Sequence, residues 1–191
     1  MKNLFYFVLQ WLRLKAPETQ TTQEERACLS RYAKSRKKLV EVGVFQGVTT
    51  RVLREAMHPD GVLFGIDPFF KNRLGVCFYR LIAFRNVDEV KKGHVKWLEM
   101  TSLEALRGPI LREGKDLDFV FIDGDHSWEG IDADWKGVKD LIVPGGIVAL
   151  HDSRNCGGCG SEQYTQQVIL KDSQYQVIDT VDSLTVLSRH S

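Results

Sequence analysis

The sequence lacks several things that would have narrowed its class at once. It has no basic excess: 26 lysines and arginines oppose 25 aspartates and glutamates over 191 residues, a net charge of +1. That balance argues against nucleic acid as the partner. It has only four cysteines, at 28, 77, 156 and 159, too few for the disulfide framework of a small secreted domain. We read them as reduced thiols in a cytoplasmic protein. No apolar run is long enough to cross a bilayer: Leu4–Leu14 is short and interrupted by Gln10 and Arg13. No small-residue cleavage site follows it, which argues against a signal peptide. Internal repeats, low-complexity tracts and Pro/Ser-rich linkers are also missing, so nothing divides the chain into several domains.

What is present reads as one globular domain. Apolar residues make up 43% and charged residues 27%, and a chain of this length buries enough surface to fold without a staple. Residues 1–36 read as an N-terminal helical appendage and 37–191 as the main domain. The segment Leu4–Leu14 is apolar almost all round and must bury itself on its own domain, a partner subunit or a membrane surface. It is the candidate surface for a homo-oligomer. From residue 39 short β-branched runs alternate with helical patterns. Strands are expected at 39–44, 62–66, 95–100, 119–122 and 147–150, with helices at 49–57, 102–111, 128–141 and 161–170. The runs 175–180 and 184–188 have only three residues between them and predict an antiparallel hairpin. The fold class is therefore α/β: a Rossmann-like, seven-stranded, mostly parallel sheet with helices on both faces and a C-terminal antiparallel hairpin.

In such sheets ligands bind outside the carboxyl ends of the strands, at the switch point beside the first strand. Polar residues gather at those ends. Glu41, Gly43 and Gly47 lie in the turn after the first strand, where glycines admit a close backbone approach; an ordinary tight turn explains them equally well in isolation. Their spacing is not Gly-x-Gly-x-x-Gly, which disfavours a dinucleotide site, and the turn has no Walker lysine. Asp67 closes the second strand, where a carboxylate can accept both hydroxyls of a ribose or serve as a cap before Pro68. Met100, Thr101 and Ser102 follow the third strand. Asp123-Gly-Asp-His126 ends the fourth and His151-Asp152 the fifth. His126 has a natural pKa suited to a general base, and Asp123 with His151 and Asp152 offers a plausible oxygen and nitrogen metal set. Cys156-Gly-Gly-Cys159 stands without a second such pair, so a flexible loop with two thiols, a metal site and a redox pair all stay open.

Together these motifs resemble the class I S-adenosylmethionine-dependent methyltransferases. The likeness covers residues ~37–189. Glu41-x-Gly-x-x-x-Gly47 resembles the first motif and Asp67 the ribose acid. The stretch 118–130, Asp134, Val143-Pro-Gly-Gly146 and Leu150-His-Asp152 resemble the small bacterial subgroup related to macrolide-sugar O-methyltransferases and cephalosporin-biosynthesis methyltransferase-like proteins. The resemblance implies S-adenosylmethionine as cofactor, held by Glu41, Gly43, Gly47, Asp67, Met100, Thr101, Ser102 and Asp123. It implies Mg²⁺ or another divalent cation at Asp123 and Asp152, and His126 as base. His151 stands where those relatives carry the first acid of a pair, a departure because hard cations prefer oxygen. The implied activity is methylation of a small-molecule hydroxyl. The Asp-Gly-Asp-His motif differs from the Asn/Asp-Pro-Pro-aromatic used on base amino groups. The alternative is a non-catalytic ligand-binding or assembly module that retains the fold.

Overall fold

The computed structural model describes residues 2–73 and 75–190. Seven strands form one sheet: β1 (Lys38–Val42), β2 (Val62–Ile66), β3 (His94–Leu98), β4 (Leu117–Ile122), β5 (Ile142–Leu150), β6 (Tyr175–Val181) and β7 (Leu184–Arg189). Their order is β3-β2-β1-β4-β5-β7-β6. Pairings from β3 through β5 are parallel, and β7 runs antiparallel to both β5 and β6. The order reverses between β1 and β4, so the switch point lies there.

Side chains alternate along each strand, and the register makes the alternation continuous across the sheet. Leu39, Leu63 and Phe119 are aligned and share one core with Leu29 of α2 (Gln23–Ala33) and Leu53 of α3 (Val48–Ala56). Val40, Phe64 and Val120 face the other way. There they meet α5 (Ser102–Arg107), α6 (Pro109–Glu113), α7 (Trp128–Val138) and α8 (Gly160–Gln167) through Leu106, Ile110, Trp135 and Tyr164. The second half of the expected appendage is thus core, since Leu29 and Ala33 are fully buried. A further helix, α4 (Phe78–Asp88), packs on α3, and α1 (Lys2–Trp11) packs on α4. Phe7 stacks on Phe78 at 4.7 Å, and the Arg85 guanidinium lies 4.5 Å over Trp11. Leu4, Phe5, Val8 and Leu12 of this N-terminal segment remain exposed.

Three local expectations shift. The helix expected over 102–111 is two helices, because Pro109 cannot donate to the preceding turn and instead opens α6. The fifth strand begins at Ile142 rather than Ile147. Pro144-Gly145-Gly146 does not merely end a helix but forms a bulge, with the register jumping from Leu117↔Ile142 to Phe119↔Ile147. The final hairpin closes on two residues, Asp182 and Ser183, with Asp182 at φ +50°.

Candidate active site

The β1–α3 turn is built around Gly43. Its φ is +87°, and a side chain there would collide with the Asp123 carbonyl oxygen. Glycine therefore lets the turns after β1 and β4 close on each other. Gly47, at φ +72°, lies against Ala83 of α4. Asp67 fastens the same turn: Oδ2 accepts from Val44 N (3.1 Å) and Phe45 N (3.0 Å), and Oδ1 from Phe69 N (2.8 Å). Asp67 thus caps its own loop and also lines the cleft.

That cleft has a volume of about 740 Å³ and takes in Gly43, Asp67, Thr101, Ser102 and Asp123. Its size suits one small organic ligand or cofactor. Thr101 caps α5 through a reciprocal box with Glu104. The linker between α1 and α2 forms part of the rim, with Glu18, Thr19 and Gln20 beside the opening. Gln46 pins it there: Gln46 Oε1 accepts from Gln10 Nε2 (2.8 Å) and Glu18 N (2.7 Å).

Three expected ligand residues lie outside the lining: Gly47, set against α4, Glu41 and Met100. Glu41 does not line the cleft. It shares the strand face of Leu39, so its side chain points toward α3, and it is completely buried. Burial drives its pKa well above the ordinary carboxylate range; the Thr50 hydroxyl opposes this, and Asp123 and Asp67 reinforce it. Buried on that face, Glu41 presents no carboxylate to a ligand in the cleft. Met100 packs on the core at the foot of α5 and is likewise outside the lining.

Beyond Asp123 lies a cluster of imidazoles and carboxylates. His151 is nearly inaccessible, with 4% of its side chain exposed. Its Nδ1 lies 2.9 Å from Asp123 Oδ1 and 3.7 Å from Asp152 Oδ1, and its Nε2 lies 3.4 Å from Glu25 Oε2. His126, one-third exposed, bridges the two acids, with Nε2 3.7 Å from Asp123 Oδ1 and Nδ1 3.4 Å from Asp152 Oδ2. Burial disfavours the His151 cation, but the adjacent carboxylates of Asp123 and Glu25, with further charge from Asp152, outweigh it and raise the pKa to about 10. Burial likewise works against the Glu25 carboxylate; His151, Thr22 and Ser183 overcome it and lower the pKa to about 2. Asp152 adopts φ +46°, a left-handed conformation that aims its carboxyl at the cluster.

The cluster also answers whether a cation fits. Asp123 Oδ1 and His151 Nδ1 are buried and close, yet off the line of a proper hydrogen bond. Two lone pairs at that distance require a positive centre between them, a proton or a metal ion. Donor atoms of Asp123, His126 and His151 lie within 4.8 Å of one another, and Glu25 backs the outer nitrogen of His151 as outer-shell carboxylates do in metal sites. The residues fit a divalent cation. Mixed nitrogen and oxygen donors suit borderline ions such as Fe²⁺ or Zn²⁺ better than Mg²⁺.

Sequence reasoning missed Glu25. The signal was there, since Thr22-x-x-Glu25 is a capping box, but nothing local says that its carboxylate reaches residues 126 and 158 positions later. It missed Asp134 as a buried group as well. That carboxyl is 1% exposed, without a good hydrogen bond among the described residues. Burial, moderated by Ser102 and reinforced by Asp125, raises its pKa from 3.8 to about 6. One expectation is corrected outright. Cys156 and Cys159 are not free thiols but joined by a disulfide, because the two glycines between them let the chain turn back within four residues.

Similarity to known proteins lies in the domain and its fold. A family model described as a methyltransferase domain matches residues 40–153, from β1 to the loop after β5. The chain belongs to this family, within the class I S-adenosylmethionine-dependent methyltransferases. Solved structures share its fold at low identity. The O-methyltransferase TomG from Streptomyces achromogenes, involved in tomaymycin synthesis and solved with S-adenosylmethionine, is 19% identical with a TM-score of 0.67. That alignment covers 98% of this chain and 89% of TomG. An O-methyltransferase from Bacillus cereus in complex with S-adenosylhomocysteine is 17% identical, with a TM-score of 0.64 and coverage of 99% and 91%. CalS11, a TDP-rhamnose 3'-O-methyltransferase of calicheamicin biosynthesis, is 16% identical, with a TM-score of 0.65 and coverage of 86% and 77%. Among curated proteins nothing matches the chain. No helix among the described residues is long and apolar enough to cross a membrane.

Proposed function

We propose that the chain transfers a methyl group from S-adenosylmethionine to a hydroxyl of a small molecule, assisted by a divalent cation. The observation that carries this reading is the meeting, at Asp123, of the 740 Å³ cleft with the imidazole–carboxylate cluster. The cleft suits the cofactor and the cluster suits acceptor activation. In this reading the ribose hydroxyls donate to Asp67, and the adenine lies against Thr101 and Ser102. Gly43 keeps the turn low enough for the cofactor's amino-acid portion to pass. The O-methyltransferases among the structural neighbours support oxygen as the target.

The sulfonium is already an activated donor, so the protein must align an oxygen with the methyl and take its proton. Asp123 and His151, with Asp152 Oδ1 3.7 Å from the same His151 nitrogen, would hold the cation and leave His126 uncoordinated; the cation when bound lowers the pKa of a hydroxyl beside it. His126 serves as the base in this reading: its ring is one-third exposed and lies 3.7 Å from Asp123, the residue that the cleft and the cluster share. The carboxylates of Asp123 and Asp152 on either side stabilise the imidazolium that results.

Calorimetric titration with S-adenosylhomocysteine tests the cofactor half. Asp67→Ala removes an ionised acceptor, worth about 1.5–3 kcal/mol per bond, so affinity should fall at least tenfold. Unchanged affinity would contradict the assignment. Turnover on a panel of hydroxylated acceptors, with and without chelator, tests the rest. Tight cofactor binding with no turnover would favour the non-catalytic module.

A further inference from the structure

The ring Cys156–Cys159 sits where its chemical state can be felt by the cluster. A disulfide restrains the chain less the shorter the loop it closes, and this one closes only four residues. A chain with a core this large has little need of such a staple. Its effect must be local, and its contacts are with residues next to the cluster. Cys159 Sγ lies 3.3 Å from the Asp152 carbonyl oxygen and 3.1 Å from Ser161 Oγ. Ser161 Oγ donates to the same carbonyl (2.8 Å), while Ser161 N donates to the His126 carbonyl (3.0 Å). The two segments carrying Asp152 and His126 are therefore tied together at Cys159 and Ser161, the first residues of the turn into α8. On the other side, Glu162 accepts from Asn155 N and Gly158 N and lies 3.3 Å from Cys156 Sγ.

We propose that Cys156 and Cys159 form a reversible thiol–disulfide modification site whose state sets the backbone of Asp152 and His126. The oxidant is a small-molecule disulfide. A thiolate of the pair attacks one of its sulfurs and releases one thiol; the second cysteine then displaces the other. The cysteine pair loses two electrons and two protons, and two small thiols leave. In the reduced state the sulfurs must part to roughly 3.5–4 Å, the separation of unbonded heavy atoms. Cys159 is wedged between the Asp152 carbonyl and Ser161, so that parting loosens the tie. The cofactor half of the cleft makes no contact with the ring, and the disulfide lies outside its lining.

The meaning of this switch rests on Asp152 and His126 being the acceptor side, but its test does not. The full-length chain is poised in mixtures of reduced and oxidised glutathione, and the state of each cysteine is read by alkylation and peptide mass analysis. This separates Cys156 and Cys159 from Cys28 and Cys77. Amide hydrogen exchange is then compared between the two states. Residues 126–128 and 151–161 should exchange roughly tenfold faster when reduced, and Cys156→Ser should match the reduced chain in either buffer. Affinity for S-adenosylhomocysteine should change less than about twofold. Failure to bind S-adenosylhomocysteine in both states would sink the functional reading alone. Equal exchange in both states would sink the switch alone. Thiolate charge-transfer absorption on adding Co²⁺ to the reduced chain, lost in Cys156→Ser, would make the pair a metal site with Glu162 and overturn the proposal.

Discussion

Glu25→Gln is the sharpest probe of how the cluster is held. Glu25 is 1% exposed and accepts four bonds: from Thr22 N (2.9 Å), Ser183 N (3.0 Å), Ser183 Oγ (2.8 Å) and, more loosely, His151 Nε2 (3.4 Å). All four partners are donors. Glutamine keeps one acceptor oxygen and turns an NH₂ toward donors that cannot receive it. Removing one partner of a buried ion pair costs about 3–5 kcal/mol, and in a chain of this size each kcal/mol lowers the Tm by about 2–4 °C. We expect a drop of roughly 6–20 °C. The pH dependence has a definite sign. His151 is raised from 6.5 to about 10, so its contribution is complete below 6.5 and fades as pH rises toward 10. Glu25 is lowered from 4.5 to about 2, so its contribution is complete above 4.5 and fades as pH falls toward 2. The gap between wild type and variant should therefore be widest near pH 5–6 and narrow in both directions. Urea denaturation with metal-free protein from pH 3 to 10 measures it. A gap under about 1 kcal/mol, or one independent of pH, would refute the ion pair.

Other outcomes follow from the same geometry. His126→Ala should lower turnover by about 10²–10⁴ and leave S-adenosylhomocysteine affinity nearly unchanged; full activity would remove it as the base. Asp134 is destabilising when ionised, because its folded pKa of about 6 lies above 3.8, so stability is lost as pH rises through that interval. Asp134→Asn should match wild type below pH 4 and exceed it above pH 6, by at most on the order of 3 kcal/mol; equal stability at both ends would show the carboxyl to be satisfied. Deleting residues 1–16 strips the exposed face of α1 but spares α2, so cofactor affinity should persist while oligomeric state, read by light scattering, or acceptor binding changes. An unfolded product would place α1 in the core instead.

The sheet was legible because its signals are local. Short β-branched runs, helical crossovers and a closely spaced final pair predict seven strands without tertiary information, and the clustering of polar residues at strand ends pointed to the edge where the cleft lies. The misses come from relations no local pattern encodes. Glu41 and Asp67 are both acids at strand ends, yet strand alternation turns Glu41 into the core while Asp67 faces the cleft. Glu25 looks like an ordinary capping residue until α2 is laid against the end of β5. The Cys-Gly-Gly-Cys spacing permits a thiol pair, a metal site or a disulfide, and only the fold of the loop selects among them.

Ser183 has a consequence for how the molecule is made. From the tip of the last hairpin it reaches 158 residues back to Glu25, and its carbonyl accepts from Ser153 N. The hairpin is thus the clasp that joins the first core helix to the loop carrying Asp152. During vectorial synthesis β1 to β5 can pair while the chain is still emerging, but His151 keeps an incompletely fixed partner until residue 183 has been added. A nascent chain halted before the hairpin should already present the cofactor cleft and lack an ordered His151 centre. The last tenth of the sequence, which contributes no residue to the cleft, determines when the site becomes complete.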